Sequence, residues 1–246
     1  MGRTELQVEL LQHTHDPEQL VALAAKLCYS SADIGELEKG VNERDQTQFV
    51  RKLADMGHRT PFEHASFTFG VEGISRSLLA QITRHRIASF SVKSQRYVSE
   101  DSAAKVDGVF NYIIPPRIAD LGAVQVQEYT RQMAQMQKWY DDWLEKLAVH
   151  GDAAREDARF VLPNAAETKL VLTMNARELM HFFALRCCNR AQWEIRALAT
   201  EMLRLVRQES PELFRNAGPG CLTGPCPEGA MCCGEQVKVR EIFRKL

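Results

Sequence analysis

The chain has 246 residues, 45% of them hydrophobic, enough to build a core in one large domain or two small ones. Its 31 basic and 32 acidic side chains leave a formal net charge of −1, which argues against bulk binding to nucleic acid, where a strongly basic domain is expected. No run approaches the ~20 apolar residues of a membrane span, and the first residues lack the apolar core of a signal peptide, so a cytoplasmic protein with no membrane partner is expected.

Leu6, Val8 and Leu10 alternate with Gln7 and Glu9 and predict a strand. Asp16-Pro17-Glu18-Gln19 then opens a helix, with Asp16 as N-cap and Gln19 closing a capping box, and with Leu20, Leu23, Ala24 and Leu27 as its apolar positions. A second helix is expected over 42–56, with Phe49, Leu53 and Met56 on one face and Gly57 as its stop. Residues 58–64 read as a shaped loop. Phe67, Phe69 and Val71 alternate with Thr68, Gly70 and Glu72 in a second strand. Residues 75–84 read as helix, with Leu78, Leu79 and Ile82 buried and with Gln81 and His85 one turn apart on a shared face.

The longest helix is expected over 119–150, where Tyr129, Met133, Met136, Tyr140, Trp143 and Leu147 form a core or subunit-interface stripe. A short helix at 154–160 presents Arg155 and Arg159 and stops at Pro163. Residues 170–174 are β-like, and Asn175-Ala176-Arg177-Glu178 forms an N-cap box into a further helix. A final helix at about 191–208 places Trp193 and Leu198 inward. No internal repeat and no low-complexity linker interrupts this order. The expectation is one α+β domain over 1–216, followed by a Gly/Pro/Cys-rich tail at 217–246.

Seven cysteines in a cytosolic chain do not read as a disulfide framework. Cys221, Cys226, Cys232 and Cys233 fall in the tail, but their spacing lacks paired Cys-x-x-Cys knuckles, so no metal is expected there. Dinucleotide, phosphate-loop and nucleophile-elbow signatures are missing too. What stands out is residues 84–97, where Arg84, Arg86, Lys93 and Arg96 accompany His85 and three serines. Such a cluster in a near-neutral chain suits an anion with several oxygens, such as a phosphate ester. Arg159, Arg177 and Arg186 likewise stand at the ends of apolar segments. Ser94 has no visible His-Asp relay and does not read as a nucleophile.

Three segments in order, His58-Arg-Thr-Pro-Phe-Glu-His64, Arg84-His85-Arg86 with Ser94-Gln95-Arg96-Tyr97, and Asn175-Ala-Arg-Glu-Leu-Met-His-Phe-Phe-Ala-Leu-Arg186 followed by Ala191-Gln-Trp-Glu-Ile195, resemble the flavin-dependent thymidylate synthases. The resemblance implies a mostly antiparallel sheet flanked by helices, assembled as a homotetramer with active sites where subunits meet. It implies a methyltransferase that converts dUMP to dTMP, with 5,10-methylenetetrahydrofolate as carbon donor and NADPH-reduced FAD as hydride donor.

The family's roles fall on this chain as follows. Thr60, Arg84, His85, Arg86, Val92, Asn175, Ala176, Arg177 and His181 would hold FAD. Gln81, Ile82, Thr83, Arg84, Val92, Lys93, Ser94, Gln95, Arg96 and Arg186 would hold dUMP, with Arg159 reaching it from another subunit. Arg186 would stabilise charge on the pyrimidine, and His58 would lie near flavin and substrate. Ser91-Val92 depart from the family, where many members carry a polar pair, so Val92 keeps only backbone groups for contact. Two other readings stay open from the residues: a non-catalytic nucleotide- or RNA-binding module, and a related flavoenzyme acting on another pyrimidine nucleotide.

Overall fold

A computed structural model describes residues 2–246. Strand β1 (Gln7–His13) leads into α1 (Pro17–Leu27), α2 (Ile34–Asn42) and α3 (Thr47–Asp55). A 3-10 turn (Thr60–His64) precedes β2 (Ser66–Ser75), α4 (Arg76–Ile82) and β3 (Ala88–Val92). Next come α5 (Pro116–Ala119), α6 (Ala123–Lys146) and α7 (Ala154–Ala158), then β4 (Glu167–Asn175), α8 (Ala176–Arg186), α9 (Trp193–Glu209) and α10 (Gln236–Lys245). The four strands form one sheet in the order β1-β2-β4-β3. Its pairing is antiparallel. Between β2 and β4, Thr68 meets Thr173 through their hydroxyls at 2.8 Å, and Gly73 N–H donates to Glu167 Oε1 at 3.5 Å, so numbers fall on one strand as they rise on the other.

Several local expectations change. The N-cap of α1 is Asp16, but its backbone is left-handed and its side chain caps nothing; Val21, Ala22 and Ala25 are the buried positions rather than the leucines. The helix expected over 42–56 is α3 alone, which starts only at Thr47 because residues 43–46 turn the chain, and α2 before it was not foreseen. The end of α3 is as expected: Gly57 takes φ 71°, and its N–H and that of His58 reach Ala54 and Leu53 carbonyls. The long helix is shorter than 119–150, because it starts after Gly122 and ends at Lys146, beyond which the chain continues as a 3-10 turn over Ala148–Ala153. Met133 and Tyr140 are buried on α6 with Gln137 between them, whereas Trp143 is half-exposed. Trp193 is half-buried rather than inward-facing.

The chain divides into two compact units. The first holds residues 2–7, 71–84 and 91–171. Its core joins Phe110, Tyr112, Met133 and Ala166, and Gln137 satisfies the Phe110 N–H (2.7 Å) and the Glu100 carbonyl (2.9 Å). The second holds residues 8–70, 85–90 and 172–246. Phe214 there packs edge-on to Phe67 and Phe183. Residues 217–246 fold into this second unit, burying Leu222, Val239 and Phe243, with α10 an element the sequence reading lacked. No helix among the described residues is long and apolar enough to cross a membrane.

Candidate active site

In the first unit, Ser75 caps α4 by accepting from Leu78 N–H, and the helix stops at Ile82. His85 therefore lies beyond α4, and the shared helical face expected for Gln81 and His85 does not exist. Ile82 is fully buried and offers a ligand no side-chain surface. Thr83 spends its hydroxyl on the Leu79 carbonyl (2.9 Å), and Gln81 donates to the Ser77 carbonyl (3.3 Å). Val92 ends β3. Lys93 is committed elsewhere: its ammonium lies 2.6 Å from Glu100 Oε1 and 3.8 Å from Glu167, and its N–H donates to the Lys169 carbonyl. The Glu100 contact is an ion contact rather than a well-aligned hydrogen bond. Ser94 Oγ accepts from Arg96 N–H (3.2 Å), a local turn and not a nucleophile's relay. Gln95 is buried beside it.

Arg96 and Arg159 converge on one residue. Arg96 donates from Nε to the Glu156 carboxylate (2.8 Å), and Arg159 donates to the Glu156 carbonyl (3.1 Å). Arg76, which sequence reasoning passed over, belongs here. Burial pushes its guanidinium below the ordinary range, and the positive charge of Arg159 pushes it further. The only sequence signal for Arg76 was its place one residue after the Ser75 cap.

In the second unit, Asn175 accepts from Glu178 N–H (2.9 Å) and starts α8 as expected. The Glu178 carboxylate does not return to the cap. It lies 3.2 Å from His85 Nδ1, and Arg186 Nε donates to His85 Nε2 at 3.1 Å. An imidazole that accepts at Nε2 must carry its proton on Nδ1, so His85 is neutral and donates to Glu178. Burial, first, holds it below its ordinary 6.5. Phe182 supplies one wall, edge-on at 4.9 Å between ring centroids. Glu178 and His85 are 7% and 5% exposed. Glu178 was named for its helix cap; its pairing with His85 was not foreseen.

A cavity of about 470 Å³ opens here, lined by Arg59, Glu63, Ile87, Asn175, Arg177, Glu178 and His181. Arg177 pairs with Glu63. Ala176 is buried and its N–H donates to the Ala65 carbonyl (2.8 Å), while Thr60 is exposed at the 3-10 turn and His58 donates its N–H to Leu53. Arg84, in the first unit, and Arg86, in the second, are exposed and make no side-chain hydrogen bond or ion pair among the described residues. His85, Glu178 and His181 bring one potential ligand atom each within 4.8 Å. They do not fit a metal ion: both His85 nitrogens are engaged, one by a guanidinium that a cation would repel.

Residues 9–212 match the family described as thymidylate synthase complementing protein. The chain is a flavin-dependent thymidylate synthase family member. A flavin-dependent thymidylate synthase of Geobacter sulfurreducens is 54% identical over 98% of this chain and 99% of its own. One of Sulfurisphaera tokodaii is 40% identical over 88% of this chain and 79% of its own. Among solved structures, a UMP/dUMP methylase, PolB, of Streptomyces cacaoi bound with 5-Br dUMP superposes with a TM-score of 0.66 at 25% identity, covering 87% of this chain and 94% of that one.

The family's flavin is tested here by the chemistry of the donors. A dinucleotide flavin brings a diphosphate and a ring system that gains negative charge on reduction. The second unit answers with Arg86, exposed and unpaired among the described residues, and with Arg177, His181 and Asn175 lining the cavity, Asn175 at the start of α8. These residues fit the group.

Proposed function

We propose that this chain makes dTMP from dUMP, with methylenetetrahydrofolate as carbon donor and NADPH as the reductant of FAD. The observation that carries the mechanism is the Glu178–His85–Arg186 chain of hydrogen bonds in the second unit. FAD, when bound, supplies the hydride. Thr60, Arg84, His85, Arg86, Val92, Asn175, Ala176, Arg177 and His181 are its candidate contacts, with the guanidiniums favouring the reduced, anionic form.

The nucleotide is assigned to Gln81, Arg84, Ser94, Gln95 and Arg96, with Arg159 reaching it from a neighbouring subunit, and Arg96 supplies positive charge for its phosphate. Ile82, Thr83, Val92 and Lys93 contribute through the backbone that carries these side chains. Arg186 keeps its guanidinium oriented because Nε is pinned to His85, and a guanidinium held in place can stabilise a pyrimidine that turns anionic. A fixed donor of this kind needs no reorganisation as charge develops. Cys187 is no substitute nucleophile: burial pushes its thiol up to about 12, so it stays protonated. Homotetramer formation, with Arg159 serving a neighbouring subunit's nucleotide, completes the reading; the exposed Trp139 and Trp143 on α6 offer it apolar surface.

Purified protein, incubated without oxygen with NADPH, methylenetetrahydrofolate and dUMP, should yield dTMP and show flavin absorbance. Colourless protein that takes up no added FAD would sink the enzyme reading. A second substrate is worth the same assay: PolB is named as a methylase of UMP as well as dUMP, so UMP belongs in a parallel reaction.

A further inference from the structure

Another cavity of the second unit, about 750 Å³, is lined by none of the site residues above. Four arginines line it, Arg207, Arg215, Arg240 and Arg244, against a single carboxylate, Asp55. Asp55 is itself engaged by Asn216 Nδ2 at 3.0 Å. Among the described residues no carboxylate comes within ion-pair distance of any of the four guanidiniums, although Glu212 senses Arg215 from farther off. In a chain of net charge −1, this is a strong local excess of positive charge.

Two of these cations cannot swing out to water. Arg207 donates to the carbonyls of Phe214 (3.2 Å), Ala217 (2.7 Å) and Phe243 (2.5 Å). Arg240 donates to the carbonyls of Cys221 (2.7 Å) and Gly224. Carbonyl dipoles orient a guanidinium but do not neutralise it. Burial accordingly pushes Arg207 down from the ordinary arginine range, and no carboxylate pulls it back. Preset cations also spare a ligand the entropy of ordering them. Arg215 and Arg244 remain exposed, with no side-chain partner, to close over what enters, and Phe243 gives the cavity an apolar wall.

We propose that this cavity is a second anion site, which takes a small molecule bearing a phosphate ester or diphosphate. Fork-shaped guanidiniums at several angles match phosphoryl oxygens, and the volume suits a nucleotide-sized ligand.

The test uses the full chain saturated with FAD and dUMP, so that the nucleotide and flavin sites are filled, and measures labelled inorganic pyrophosphate by equilibrium dialysis. One equivalent should remain bound. Arg215→Gln and Arg244→Gln should each weaken it about tenfold, the effect of one charge-assisted contact. Neither side chain is hydrogen-bonded, so the thermal midpoint should not move; Arg244→Gln alone serves if the pair does not fold. NADPH or a nucleoside triphosphate in excess should displace the probe. The proposal is overturned if FAD and dUMP abolish pyrophosphate binding, if the arginine variants bind it unchanged, or if neither nucleotide competes.

Discussion

Removing Glu178 tests the hydrogen-bond chain that holds Arg186. In Glu178→Leu, the His85 Nδ1–H loses its acceptor in a pocket walled by Phe182, and an unmet buried donor costs about 1–3 kcal/mol. In His85→Leu, the 7%-exposed Glu178 carboxylate is stranded instead, at about 3 kcal/mol. The double leucine variant leaves neither group unmet, so its loss should fall short of the sum of the two by about 2 kcal/mol. Glu178→Gln keeps an acceptor oxygen while giving up the charge, as Leu also does, so it should be about 1 kcal/mol milder than Glu178→Leu. Urea midpoints at constant slope give all four values. At equal flavin content, Glu178→Gln should also retain more dTMP formation than Glu178→Leu, because His85 still presents Nε2 to Arg186. Additive losses in the double variant, or Gln and Leu variants alike in both stability and turnover, would refute the reasoning.

Arg186→Ala should keep bound FAD while turnover falls about 10²–10³-fold, the cost of removing one preset donor from developing charge; parallel loss of flavin absorbance would move Arg186 to cofactor binding. Gly73→Ala should cost more than about 3 kcal/mol or abolish soluble protein, because a Cβ there would sit 1.9 Å from the Glu5 carbonyl oxygen at φ 68°; a midpoint close to the parent's would contradict this. The wild-type chain should lose stability on acidification. Burial mainly, with Arg186 and His181 adding, holds folded His85 below the 6.5 of an ordinary imidazole, and Glu178 opposes. The unfolded chain therefore takes up that proton first, so this contribution is complete above about pH 6.5 and is lost as pH falls through the folded value. His85→Gln should flatten the slope of urea midpoint against pH in that window, and an unchanged slope would show that other groups set it.

The reading from sequence was strongest where one local rule governs one element. Alternation gave β2, the apolar positions Leu78 and Ile82 gave α4, the Asn175 cap gave α8, and Gly57 ended α3. It failed where tertiary context decides. Asp16 has the chemistry of a cap, yet its left-handed backbone turns the side chain away from the helix. The turn at residues 43–46 lies in a polar run with no Pro or Gly to announce it. For the site, the arginines were legible as charge concentrated beside apolar segments. Their partners were not. Lys93 looks like a phosphate ligand in the primary sequence, and only the fold brings Glu100 and Glu167 to its ammonium. The Glu178–His85 pair joins residues far apart in sequence, which no spacing rule reaches.

Arg207 carries a practical consequence for handling this chain. One side chain on α9 fastens the loop after that helix, through Phe214 and Ala217, and the last helix, through Phe243. Trimming back to residues 9–212, the region that matches the family, would delete all three of these anchors and strip a half-buried guanidinium of its carbonyls. An expression boundary drawn at the end of the family motifs therefore cuts through a keystone, and a shortened version is a poor surrogate for the whole.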